Sequence, residues 1–207
     1  MEKEKLIFWN VDTQIDFVEP EGKLYVQGAE KLKPLWQQIT AFAKQKNIRV
    51  INTADFHYPE SVELSDEPDF VNTFPQHCMA NTSGAEYVPE TQPDDAVEFD
   101  WNKECETFES VKFARNIIIR KDAFDVFAGN PYTDNILQIL SPETVVVYGV
   151  TTNVCVNDAV VGLSKRVKRV IVLKDAIKEL PNIPLPFDDW EKLEVEMIAF
   201  EDLAAKL

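Results

Sequence analysis

The chain has 207 residues, enough for one well-buried domain, and its 45% hydrophobic content with only 6 glycines excludes a disordered or fibrous class. Its 36 acidic and 21 basic residues leave a net charge of −15, which argues against a nucleic-acid or anionic-membrane surface, where Lys and Arg would be in excess. Three cysteines, Cys78, Cys105 and Cys155, show neither zinc-knuckle nor redox-dithiol spacing and suit a reducing compartment. The first apolar run, Leu6 to Trp9, is too short for a signal peptide or a membrane span, so a soluble cytoplasmic protein is expected.

In chain order, LIFWNV (Leu6–Val11) reads as a buried strand. Leu32, Leu35, Trp36, Ile39, Phe42 and Ala43 then recur at helical spacing. RVINTA (Arg49–Ala54), NIIIR (Asn116–Arg120), TVVVY (Thr144–Tyr148) and RVIVL (Arg169–Leu173) read as further strands. Helical segments are expected over Tyr132–Leu140, Asn153–Ser164 and Trp190–Leu203. Tyr58–Glu109 is rich in Pro, Asp, Glu and Thr and carries no long periodic run, and an irregular stretch of that length is usually functional.

The strands are β-branched and apolar throughout, so both faces of the sheet are expected to be covered. The alternation predicts an α/β protein, a three-layer αβα sandwich on a mostly parallel sheet of five to six strands. Nothing suggests a second domain, and residues 1–207 are read as one. Trp36 and Trp190 suit either a core or an interface between copies.

Ligands of such sheets bind beyond the carboxyl ends of the strands. Asp12 follows the first strand, Asp55 and His57 the second, Lys121 the third, and Gly149, Thr151 and Cys155 the fourth. Each has a bland reading: a buried thiol, a turn or cap carboxylate, a solvated lysine, loop histidines. The set also reads as a nucleophilic site. Cys155 would sit in the first turn of a helix capped by Thr151, Thr152 or Asn153, where the helix end and Lys121 would favour the thiolate. Asp12 would serve as general base. His77, in the irregular segment, could join His57 and Asp55 around Zn²⁺ or Fe²⁺.

The ordered pieces VDTQIDF (11–17), ADFH (54–57), FPQHC (74–78), SGA (83–85), RKDAFDVF (120–127) and GVTTNVCV (149–156) span about three-quarters of the chain. On these the sequence resembles the isochorismatase-like cysteine hydrolases, and within them the metal-binding nicotinamidase branch. The resemblance implies the three-layer hydrolase fold, a catalytic triad of Asp12, Lys121 and Cys155, and an oxyanion hole from the N–H groups of Thr151 and Cys155. It also implies a cis Val150–Thr151 peptide and metal ligands Asp55, His57 and His77. The metal would be zinc, with iron or manganese as alternatives, and would hold the pyridine nitrogen of the substrate. Phe17, Phe74 and Phe124 fall where rings flank the substrate.

The implied reaction is hydrolysis of nicotinamide to nicotinate and ammonia through a thioester. A related carbamoyl or ureido substrate, or a non-catalytic metal-binding homologue, are the alternatives. Partners would be the small amide and further copies of the chain, assembly being common in the family. Phe56 and Phe74 stand where tryptophan is common, Asn81 where glycine is frequent, Asp125 where serine is more usual, and the acidic stretch 61–70 matches no family feature.

Overall fold

The computed structural model describes residues 5–70 and 72–207. In chain order these form β1 (Leu6–Val11), α1 (Ile15–Val18), α2 (Lys33–Gln45), β2 (Arg49–Asp55), β3 (Val97–Asp100), β4 (Asn116–Lys121) and α3 (Val126–Gly129). There follow α4 (Thr133–Leu140), β5 (Thr144–Val150), α5 (Cys155–Ser164), β6 (Arg169–Lys178), α6 (Phe187–Lys192), β7 (Glu196–Ile198) and α7 (Phe200–Ala204). The strands make one sheet in the order β3-β4-β2-β1-β5-β6-β7, and every paired neighbour is parallel.

The unbroken apolar runs follow from burial on both faces. Leu6 and Phe8 of β1 point to one side, where Trp36, Ile39 and Ala43 of α2 meet Phe200 and Leu203 of α7. Ile7, Trp9 and Val11 point to the other, against Val126 of α3, Ile136 and Leu137 of α4, and Val156, Ala159, Val160 and Leu163 of α5. This is the expected αβα layering. Trp36 and Trp190 are fully buried, and their indole N–H groups donate to the Ala176 carbonyl at 2.9 Å and the Asn157 side chain at 3.0 Å. Both belong to the core.

The sheet has seven strands, two more than the sequence reading placed. β3 lies inside the irregular segment and pairs only with β4, so a four-residue apolar–polar run carried too little periodicity to stand out. The predicted final helix Trp190–Leu203 is broken. Glu194 takes φ +57°, the Val195 N–H turns back to the Trp190 carbonyl at 2.9 Å, and β7 then pairs with β6 from Ile171↔Glu196 to Leu173↔Ile198. Val195 and Met197 alternate with Glu194 and Glu196, a period of two that the flanking helical residues conceal.

From β1 the chain moves outward to β2 and on to the edge strand β3, comes back to place β4 between them, and then crosses to β5 on the other side of β1. That reversal is the switch point at which strand ends open a crevice. Registers bring Val11 level with Thr53 and Gly149, and Asp55 level with Lys121. Gly149 takes φ +123°, and a Cβ there would lie 2.0 Å from the Val11 carbonyl oxygen, so only glycine lets β5 approach β1 here.

Candidate active site

The sheet edge gathers Asp12, Lys121 and Cys155 as the sequence predicts. Asp12 follows β1 at φ +48° and is fully buried. Its Oδ2 lies 3.0 Å from Lys121 Nζ, and its Oδ1 accepts the Thr53 hydroxyl at 2.6 Å. Lys121 is the last residue of β4, 1% exposed, and also pairs with Asp55, the last residue of β2. Cys155 Sγ is 3.8 Å from Lys121 Nζ and within 4.8 Å of carboxylate oxygens of Asp12 and Asp55. The buried lysine thus bridges two carboxylates and a thiol.

The two carboxylates differ in state. Burial raises the Asp12 pKa above its usual range, with Asp55 adding to the rise against the pull of Lys121. Burial also opposes ionisation of Asp55, but Lys121 and the two histidines outweigh it and hold that carboxyl below the usual range. Asp12 is therefore the weaker acid and the one suited to taking up a proton, while Asp55 stays anionic. Burial likewise works against the Lys121 cation, yet Asp12 and Asp55 raise its pKa well above normal.

Cys155 departs from the expectation of a lowered pKa. Burial pushes its thiol well up, and the attraction of Lys121 is offset by Asp12, Asp55 and Glu63. In this arrangement the sulfur is a protonated thiol facing a base, not a standing thiolate.

Cys155 opens α5, but the expected cap by Thr151, Thr152 or Asn153 is not made. The cap position falls on Val154, which supplies no side-chain bond. The turn is closed through the Thr151 carbonyl, which accepts from the N–H groups of Val154 at 3.1 Å and Val156 at 3.0 Å. The Val150–Thr151 peptide is cis.

Next to this cluster, Asp55, His57 and His77 offer ligand atoms within 4.8 Å of one another, all three buried. His57 Nδ1 faces Asp122 Oδ1 at 2.9 Å and His77 Nδ1 faces the Pro75 carbonyl at 2.8 Å. These partners fix the two rings with both Nε2 atoms turned inward, at 4.0 and 3.6 Å from Asp55 Oδ2.

Glu63, from the acidic stretch, is 5% exposed and its Oε2 lies 3.9 Å from His57 Nε2. Among the described residues, neither atom has a hydrogen-bond partner. Two buried orphaned acceptors beside an anionic carboxylate are a donor set that a divalent cation satisfies, so the residues fit a metal. Burial, with Asp55 adding to it, pushes the Glu63 carboxyl up to about 8. Its other oxygen accepts the Phe124 N–H at 2.9 Å.

Phe17, Phe74 and Phe124 all line the cavity above Cys155, with Asp55, His77 and Thr151. Phe17 and Phe74 lie 5.5 and 6.3 Å from the His77 ring, and Phe74 meets Phe124 edge-on at 5.4 Å. Leu24, Val26, Val154 and Leu180 complete the wall, which leaves about 20 Å³ free, room for roughly one water. Glu63, Asp122, Leu24 and Leu180 carried no sequence signal. The one available hint was that Asp122 adjoins Lys121 at a strand end.

An acid, a lysine and a cysteine on adjoining parallel-strand ends, beside a histidine–carboxylate cluster, define a buried thiol site on an α/β sheet. The family model for the isochorismatase domain matches residues 6–184, and the chain belongs to that family. Over 79 residues it is 35% identical to the nicotinamidase/pyrazinamidase of Mycobacterium tuberculosis, a match covering 38% of this chain and 41% of that protein. The pyrazinamidase of Pyrococcus horikoshii, solved in complex with zinc, shares the fold at a TM-score of 0.73 and 24% identity over 95% of this chain and 99% of that one. The N-carbamoylsarcosine amidase of Thermoplasma acidophilum does so at a TM-score of 0.71 and 21% identity over 94% and 96%. Among the described residues, no helix is long and apolar enough to cross a membrane.

Proposed function

We propose that the protein is a metal-assisted cysteine amidohydrolase that converts nicotinamide to nicotinate and ammonia. The observation that carries this reading is one apolar, aromatic-walled cavity with Cys155 and the Asp55–His77 cluster both on its lining. A flat, neutral heteroaromatic ring suits such walls.

Asp12 takes the proton of the Cys155 thiol, and the sulfur attacks the carboxamide carbon. The N–H groups of Thr151 and Cys155 hold the oxyanion. Asp12 returns its proton to the departing nitrogen, ammonia leaves, and a thioester remains. A water then gives its proton to Asp12 and attacks the thioester. The second tetrahedral species collapses, the sulfur leaves and regains the proton from Asp12, and the acid is released. Lys121 keeps Asp12 close and ionised between proton transfers and compensates the charge on sulfur. Asp55, His57, His77 and Glu63 would hold the cation, which supplies a Lewis-acid anchor for a ring nitrogen.

The carbamoyl reading has a specific weakness. An N-carbamoyl amino acid carries a carboxylate, and among the described residues the titratable groups lining the cavity are Asp55, His77 and Cys155, with no Arg or Lys among them. The deciding experiment is ammonia release from nicotinamide and from N-carbamoylsarcosine, after chelation and after return of zinc, iron or manganese separately. Turnover of nicotinamide that chelation removes is expected. Turnover of the carbamoyl compound alone would overturn the substrate, and nicotinamide turnover indifferent to chelation would overturn the part given to the metal.

A further inference from the structure

Leu180 reaches the cavity wall from the stretch that follows β6. This stretch, LPNIPLPF, has prolines at 181, 184 and 186, so it has few backbone donors and makes no sheet of its own. Among the described residues, the hydrogen bonds that fasten residues 180–183 to the rest of the protein all go to one side chain. Asn153 Nδ2 donates to the carbonyls of Leu180 and Ile183, both at 2.9 Å, and Asn153 Oδ1 accepts the Leu180 N–H at 3.0 Å.

Asn153 is itself buried and stands two residues before Cys155. The adjoining Thr152 N–H donates to the carbonyl of Lys178 at the end of β6 at 2.8 Å, so two successive residues of the catalytic turn hold β6 and the strap that follows it. An amide is required for this clasp, because it must give two hydrogens and accept one.

We propose that Asn153 is a positioning residue that clasps the proline-flanked strap onto the Cys155 turn, and that Leu180, so held, sets the width of the ring slot. The proposal rests on the amide-hydrolase reading and adds a limit to it: the slot takes a single six-membered ring and rejects a fused bicycle. With only about 20 Å³ free, any ring must displace part of the wall on entry. Among the described residues, Leu180 and Phe124 are the wall members whose backbone hydrogen bonds go to a single side chain, and the holder of Phe124, Glu63, belongs to the cation cluster whereas Asn153 does not. The strap is therefore the part of the wall that one substitution can loosen without touching that cluster.

The test compares nicotinamide with quinoline-3-carboxamide on the metal-loaded wild type, Leu180→Ala and Asn153→Ala. In parallel, alkylation of Cys155 by iodoacetamide and by N-phenylmaleimide is followed by peptide mass spectrometry, which separates it from Cys78 and Cys105. The kcat/KM ratio of bicycle to monocycle is expected to rise about tenfold or more in Leu180→Ala, and in the same direction in Asn153→Ala although Leu180 is kept. The bulky alkylator should gain on the small one to a similar degree.

An Asn153 with a merely structural part would lower Tm and leave both ratios where they were, which overturns its positioning role. Unshifted ratios in Leu180→Ala overturn the slot. If the wild type releases no ammonia from either amide while the alkylation ratio shifts as expected, the substrate reading fails and the slot stands.

Discussion

Asp12 and Asp55 flank the same lysine and are shifted in opposite directions, one carboxyl raised by burial and the other kept anionic by Lys121 and the histidines. Only Asp12 can cycle a proton, so the acid limb of kcat/KM belongs to it in the proposed mechanism. Asp12 must be ionised to accept the thiol proton. Its pKa is raised, so activity is lost as pH falls through a value above the ordinary carboxylate range, earlier than an exposed aspartate would dictate. A profile recorded from about pH 2.5 to 8 checks this, and a limb at the ordinary aspartate value of about 3.9 would reject Asp12 as the base. Cys155→Ala should lower turnover by about 10⁴-fold or more, with an unchanged circular dichroism spectrum. Normal turnover in that variant would show that the nucleophile lies elsewhere.

At the scale of elements, the irregular stretch between β2 and β3 brings Glu63, Phe74 and His77 to the ends of the parallel strands. Glu63 faces His57 with one oxygen and holds the Phe124 N–H with the other, so it connects the donor cluster to an aromatic wall. Glu63→Ala should weaken the affinity for zinc by about 10- to 100-fold, read by competition with a chromophoric chelator. Unchanged affinity would remove it from the donor set. Asp12, Asp55, Lys121 and Cys155 were legible because each ends or follows an apolar run, and parallel strands put such residues on one edge. Glu63 was not, because in SVELSDEPDF it reads as one solvated acid among several. Leu24 and Leu180 join the wall only through the paths of their loops, which no periodicity encodes. β7 was hidden by helix-forming neighbours on both sides, and pairing with β6 decided its state.

At the scale of the whole molecule, the long irregular stretch is attached to the sheet and to the segment around α1 by both side-chain and backbone bonds. The Cys78 N–H donates to Asp16 Oδ2 at 2.7 Å, the Tyr87 hydroxyl to the Thr53 carbonyl at 2.9 Å and the Val88 N–H to the Thr13 carbonyl at 3.0 Å, and short bridges pair His57 with Met79 and Gln14 with Tyr87. The donors of the cation site straddle this attachment: Asp55 ends β2 and His57 follows it, while Glu63 and His77 lie in the stretch. A cation bound there joins the two and binds the folded state alone, so removing it should destabilise the whole fold. At a hundredfold excess over Kd the linkage contributes about 2.7 kcal/mol. For a chain of this size that corresponds to a fall in Tm of about 5–10 °C on chelation. The net charge of −15 would let divalent ions raise Tm through surface screening alone, so the control is His77→Ala measured in the same buffers. A gap between loaded and chelated protein that closes in His77→Ala locates the effect at the cluster. A gap that survives the substitution assigns it to the acidic surface and leaves the cluster without a structural metal role.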